Sequence, residues 1–94
     1  MENQHRKIKG YRELSQEEID LMNEIKAKAE ELEILVQKVD AKVKHQGTEA
    51  LRQGGEEAER INAAQPMRWA SIARTDLQTG IMALVRAVAQ PETF

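Results

Sequence analysis

Residues 15–45 read SQEEIDLMNEIKAKAEELEILVQKVDAKVKH. Within them Met22, Ile25, Ala29, Leu32, Val36, Val39 and Val43 recur at alternating steps of three and four. That is the apolar seam of a helix lying along a partner helix. Its start is marked four times over. Ser15 stands where an N-cap belongs, and Glu18 follows three positions later, which makes a capping box. Leu14 and Ile19 stand where a hydrophobic staple closes over the same turn. No Pro or Gly interrupts the run, so a long helix is expected over 15–45.

Outward from this run, Lys44 and His45 suit the negative end of a helix, and Gly47 suits its C-cap. Thr48 then suits the cap of a weaker segment, EALRQGGEEAERINAA, carrying Leu51, Ala58 and Ile61. A short or broken helix is expected over 48–64. Gly54 and Gly55 each cost about 1 kcal/mol inside a helix, so a kink or break there competes with continuation. The pair lacks the frame of a phosphate loop. Residues 66–90 are bounded by Pro66, suited to a first helical turn, and by Pro91. They form a third helix with Trp69, Ile72, Ala73, Leu77, Ile81, Leu84 and Val88 on one broad face. Ala73, Gly80 and Ala87, seven apart, give it a flank of small residues that admits another backbone.

The chain is thus expected to be all-α and one domain: a basic arm over 1–14, then three helices. Its 94 residues carry only Tyr11, Trp69 and Phe94 as aromatics. A thin aliphatic core and a helix of roughly 46 Å suit a lone monomer poorly. The seam asks for a partner, in part another copy of the chain.

Charge narrows the partners. The net charge is −2, yet residues 1–12 set His5, Arg6, Lys7, Lys9 and Arg12 against the single acid Glu2. A basic arm on a near-neutral body points to an anionic partner. Tyr11 follows Gly10 at the arm's end, either a stacking platform for a base or a ring packed on the helix. Lys26 sits beside the seam residue Ile25, where its stem can lie along an interface or simply face water. Arg74, Thr75 and Asp76 form a polar wedge between Ile72 and Leu77. An arginine there pairs with a phosphate or with an acid of the long helix.

There is no cysteine, which excludes disulfides and thiol chemistry. Neither histidine has a companion at metal-ligand spacing, and no cofactor is expected. No catalytic constellation is legible, and the third helix is too apolar for a base-reading helix. No signal peptide or long apolar run appears, so an intracellular chain with no membrane partner is expected.

Three stretches carry a resemblance: HRKIKGYREL (5–14), DLMNEIK (20–26) and ARTDLQTGIMALVRAVAQPETF (73–94). Together they resemble the anti-CBASS sponges, small phage proteins that sequester the cyclic oligonucleotide signals of antiphage immunity. The resemblance spans nearly the whole chain and is weakest around Gly54–Gly55. It implies an interlocked helical homo-oligomer, a hexamer, that encloses cyclic dinucleotides such as 3′,3′-cyclic GMP-AMP without hydrolysing them. It implies action in the cytoplasm of the infected bacterial host, with no DNA partner. Some members of the family also hold cyclic trinucleotides in a second kind of pocket. The family's aromatic contact matches Tyr11 and its lysine contact matches Lys26. Gly10 and Arg12 fall at the same site, and Arg68, Arg74 and Thr75 fall where phosphate or second-pocket contacts are implied. Two other readings remain: a helical oligomer that binds a protein, and an accessory nucleic-acid-binding protein.

Overall fold

The computed structural model describes residues 12–93, so Gly10, Tyr11 and the basic residues of the arm before them lie outside the described residues. Three helices account for most of what is described: α1 (Gln16–Gln53), α2 (Gly55–Ala64) and α3 (Pro66–Ala89). No strand occurs among the described residues.

The start of α1 follows its local sequence. The backbone N–H of Glu18 donates to the Ser15 hydroxyl at 3.2 Å, and the Ser15 N–H donates to the Glu18 carboxylate at 2.8 Å. The reciprocal bonds of a capping box are both made. The Ile19 N–H then donates to the Ser15 carbonyl at 2.9 Å, which opens the helical ladder.

The end of α1 departs from the expected stop near His45. The helix passes through Gly47 and Thr48 to Gln53. Thr48 caps nothing; its hydroxyl donates back to the Lys44 carbonyl at 3.1 Å, as helix-interior threonines do. The reason is tertiary. Ala50, at 2% exposure the most buried residue described, belongs to this extension. Packing around it offsets the cost of about 1 kcal/mol that Gly47 imposes on a helix.

The break falls at the glycine pair instead, so the middle helix begins at Gly55, seven residues later than expected. Gly54 has φ 69° and ψ −162°, and Gly55 has φ 60°. The first combination is open essentially to glycine alone. The Gly54 N–H closes α1 on the Ala50 carbonyl at 2.8 Å. The next two ends use glutamine in the left-handed region. Gln65 (φ 51°) closes α2 on Ile61, and Gln90 (φ 52°) closes α3 on Arg86. Each is followed by proline, which cannot donate to continue a ladder.

Packing falls into two compact units. One comprises the chain to Glu30 together with the chain from Thr79; the other is Glu31–Gln78. In the first, the beginning of α1 meets the end of α3. In the second, the rest of α1 packs with α2 and the first half of α3, and holds both buried residues, Ala50 and Ala70.

The α1 seam holds at Met22, Ile25, Ala29, Leu32, Val36 and Val43, all half-buried, and departs at one position between the last two. Val39, expected in the seam, is 44% exposed, while Asp40 takes the half-buried place. Asp40 turns inward because Arg74 meets it there. The expected inner face of α3 is likewise rotated. Trp69, Ala73, Leu77 and Leu84 are exposed, Ile72, Ile81 and Val88 keep half-buried places, and Ala70, Arg74 and Val85 join them on the inner side. Large apolar side chains left on the surface include Ile34, Leu35, Leu51, Trp69 and Met82.

Candidate functional site

Arg12 and Lys26 both belong to the unit formed by the start of α1 and the end of α3. Arg12 is the first described residue, one peptide bond from Tyr11. Its guanidinium is heavily engaged. Nη1 donates to one oxygen of Glu18 at 3.2 Å, and Nη2 donates to the other. Nη2 also donates to the Val88 carbonyl at 2.7 Å, and Nε to the Ala89 carbonyl at 3.1 Å. At least four of the five guanidinium N–H groups are therefore in use.

Two helix ends explain why these partners suit each other. Val88 and Ala89 carry carbonyls that the last turn of α3 leaves without intrahelical donors, and a cation is favoured there. Glu18 lies in the first turn of α1, where an anion is favoured. The ion pair thus closes one helix's negative end onto another's positive end. Hydrogen bonding from Arg12, then from the Ser15 backbone, lowers the Glu18 carboxyl to about 2 from an ordinary 4.5. The bond to Glu18 likewise raises the Arg12 guanidinium above its usual value.

Lys26 lies on the same helix, exposed, between the half-buried seam residues Ile25 and Ala29. Four-residue spacing puts Lys26 one turn beyond Met22. An ammonium so placed is available to an anion approaching the side of α1.

The remaining candidates belong to the other unit. Arg74 is paired with Asp40 of the long helix, at an N···O distance of 2.5 Å. Its neighbour Thr75 is exposed. The Arg68 guanidinium stands 5.1 Å from the centre of the adjacent Trp69 ring, a cation–π distance. The pair is exposed, so ring and cation together present a flat, positive surface. Among the described residues no three His, Cys, Asp or Glu side chains gather as a metal site would need. No helix among them is long and apolar enough to cross a membrane.

Sequence spacing found Glu18 as a capping residue but not as the partner of Arg12. It did not find the α3 carbonyls, and it offered Arg74 an acid of the long helix without singling out Asp40. Backbone carbonyls have no sequence signature, and Asp40 stood next to a valine that fitted the seam better.

The family model of the Acb2/Tad1 hairpin domain matches residues 3–89. The chain belongs to the Acb2/Tad1 hairpin domain family. It is 50% identical over 106 aligned positions to Anti-CBASS protein 2 of Pseudomonas phage JBD67, with 98% of each chain covered. The family match includes the region of both units, the arm from residue 3 and the whole of α1.

Proposed function

We propose that this chain is an anti-CBASS protein that binds cyclic dinucleotides such as 3′,3′-cyclic GMP-AMP and holds them intact. Host effectors in the infected cell's cytoplasm are then deprived of their signal. The observation that carries this reading is 50% identity, end to end, to a phage protein named for anti-CBASS action.

The chemistry of the chain supports it. A cyclic dinucleotide presents two bases and two phosphates about an approximate two-fold. A pair of protomers can offer one Tyr11 to each base and one Lys26 to each phosphate. Gly10 gives the arm backbone freedom beside the ring. Base stacking contributes about 1–3 kcal/mol each, and charge-assisted hydrogen bonds about 1.5–3 kcal/mol. Two of each total about 5–12 kcal/mol before ordering costs, so nanomolar affinity, about −12 kcal/mol, calls for further contacts from the enclosing protomers. The exposed apolar residues of α1 and α3 support association of copies, with a hexamer as the proposed assembly. Arg68, Arg74 and Thr75 are proposed for phosphate contacts at a second pocket that takes cyclic trinucleotides. For Arg74 this requires sharing its fork with Asp40.

Isothermal titration with 3′,3′-cyclic GMP-AMP tests the reading, followed by recovery of the nucleotide from the denatured complex. Binding with intact recovery is expected. Absence of heat at micromolar protein removes this ligand, and recovery of linear product makes the chain an enzyme. The same exposed apolar residues also favour a protein-binding helical oligomer, which predicts indifference to the nucleotide.

A further inference from the structure

Arg12 bonds to two helix ends at once. Its guanidinium donates to Glu18 in the first turn of α1 and to the Val88 and Ala89 carbonyls at the close of α3, 76 and 77 positions away. Helix ends fray before helix middles, because their outermost backbone groups lack intrahelical partners. Left to themselves, the start of α1 and the end of α3 would fray separately, each at its own rate.

We propose that Arg12 is a latch, which makes the start of α1 and the end of α3 open together, as one unit distinct from Glu31–Gln78. The distribution of packing is the first ground. The unit formed by the chain to Glu30 and the chain from Thr79 holds no fully buried side chain among its described residues. Its apolar contacts are the half-buried Met22, Ile25, Ala29, Ile81, Val85 and Val88. Both buried residues, Ala50 and Ala70, belong to Glu31–Gln78. Sparse burial lowers the free energy of local opening, so the first unit opens more readily.

The shared fork is the second ground. Glu18 and two α3 carbonyls draw on the same guanidinium. The first turn of α1 cannot unwind without loosening Glu18 from it, and the last turn of α3 cannot unwind without withdrawing two of its acceptors. Either event weakens what holds the other. The end of α3 is the third ground. The Gln90 N–H closes on the Arg86 carbonyl at 2.7 Å, and Arg86 Nη2 donates to the Thr93 carbonyl at 3.3 Å. This last turn is closed on itself, so it can part from α1 as a formed turn rather than unravel residue by residue.

Hydrogen exchange of the full chain, read peptide by peptide by mass spectrometry, tests the latch without any ligand. In the parent, peptides from residues 16–30 and 79–89 should show one common protection, below that of residues 31–78. Arg12→Gln should speed exchange in both of the first two segments by about tenfold, the change that about 1.4 kcal/mol makes, and leave residues 31–78 as they were. Glu18→Gln is the sharper variant. Glutamine can still complete the capping box, so the start of α1 survives while the ion pair is lost. Exchange should nonetheless rise at the end of α3, with which Glu18 shares only Arg12. Circular dichroism should stay helical in both variants. If Arg12→Gln loses its helicity, Arg12→Lys answers in its place: an ammonium has no fork, so the same two segments should quicken by a smaller factor.

Three results overturn the latch. In the first, the two segments exchange at unrelated rates in the parent. In the second, Glu18→Gln quickens residues 16–30 alone, which makes the pair a local cap. In the third, residues 31–78 quicken by the same factor as the ends, which makes the chain a single cooperative unit.

Discussion

Arg12 and Glu18 form a two-pronged ion pair at the first turn of α1, and the same arginine caps the end of α3. The pair has a definite pH signature. Glu18 titrates at about 2 in the folded chain against an ordinary 4.5, because Arg12 and the Ser15 N–H bind its ionised form. Folding therefore favours the carboxylate. Its contribution is complete above about pH 5 and drains away as pH falls toward 2. Denaturant midpoints of the parent and Glu18→Gln, measured at several pH values, should differ by a constant amount at neutral and mildly acidic pH. They should converge below about pH 3. A difference that grows on acidification contradicts the assignment.

Asp40 and Arg74 give a second pair, between α1 and α3. Both side chains keep part of their surface in water, so screening limits the interaction. A double-mutant cycle with Asp40→Ala and Arg74→Ala should return a coupling of about 0.5–1 kcal/mol, smaller at high salt. Arg74→Lys should recover only part of it, since the ammonium has no fork. If the proposed second pocket also uses Arg74, Asp40→Ala should alter trinucleotide affinity, readable by the same titration.

The two pairs also show which interactions the sequence discloses. Ser15 and Glu18 could be read because a capping box is local: three residues of spacing decide it. Pro66 and Pro91 bounded α3 for the same reason. The continuation of α1 past Gly47 could not be read, because its cause is the burial of Ala50, which only the folded chain shows. The shift at Val39 and Asp40 was hidden by a valine with better hydrophobicity and no partner for its place. The left-handed ends at Gln65 and Gln90 were also hidden, since glutamine carries no preference for that conformation. Of the candidate site, the residue types at Arg12 and Lys26 were legible and the bonds of Arg12 were not. Two of its acceptors are backbone carbonyls that every residue possesses.

The glycine pair between α1 and α2 should be unequal under substitution. At both positions an added Cβ meets nothing within 4 Å, so the cost is conformational alone. Gly54, with φ 69° and ψ −162°, occupies a region that side-chain-bearing residues essentially avoid. Gly54→Ala should cost about 1–3 kcal/mol by this argument. Gly55→Ala, with φ 60°, should cost about 1 kcal/mol. Equilibrium denaturation of the two variants checks the order, and equal or reversed losses contradict this backbone.

Lys26 offers the cleanest separation of binding from folding. It is exposed on the outer side of the seam, so removing its side chain should leave the helical circular dichroism unchanged. If its ammonium meets a phosphate, Lys26→Ala should weaken cyclic dinucleotide binding by roughly ten- to a hundredfold. Lys26→Arg should retain part of the affinity. An affinity equal to the parent's removes Lys26 from the site while leaving Tyr11 in question.

Gly80 tests the assembly. It is exposed in α3, and an added Cβ there meets nothing within 4 Å in the single chain. Replacing a helix-interior glycine with alanine stabilises an isolated helix by about 1 kcal/mol. Acting alone, this raises the melting temperature of Gly80→Ala at every protein concentration. If another copy's backbone lies against the Ala73, Gly80 and Ala87 flank, the added methyl obstructs that contact. The variant should then dissociate at concentrations where the parent stays assembled, and its melting temperature should fall on dilution more steeply. Sedimentation velocity of the two proteins over a dilution series distinguishes these outcomes. The second is expected on the proposed assembly, because only two alanines are buried among the described residues and association would cover the many exposed apolar ones.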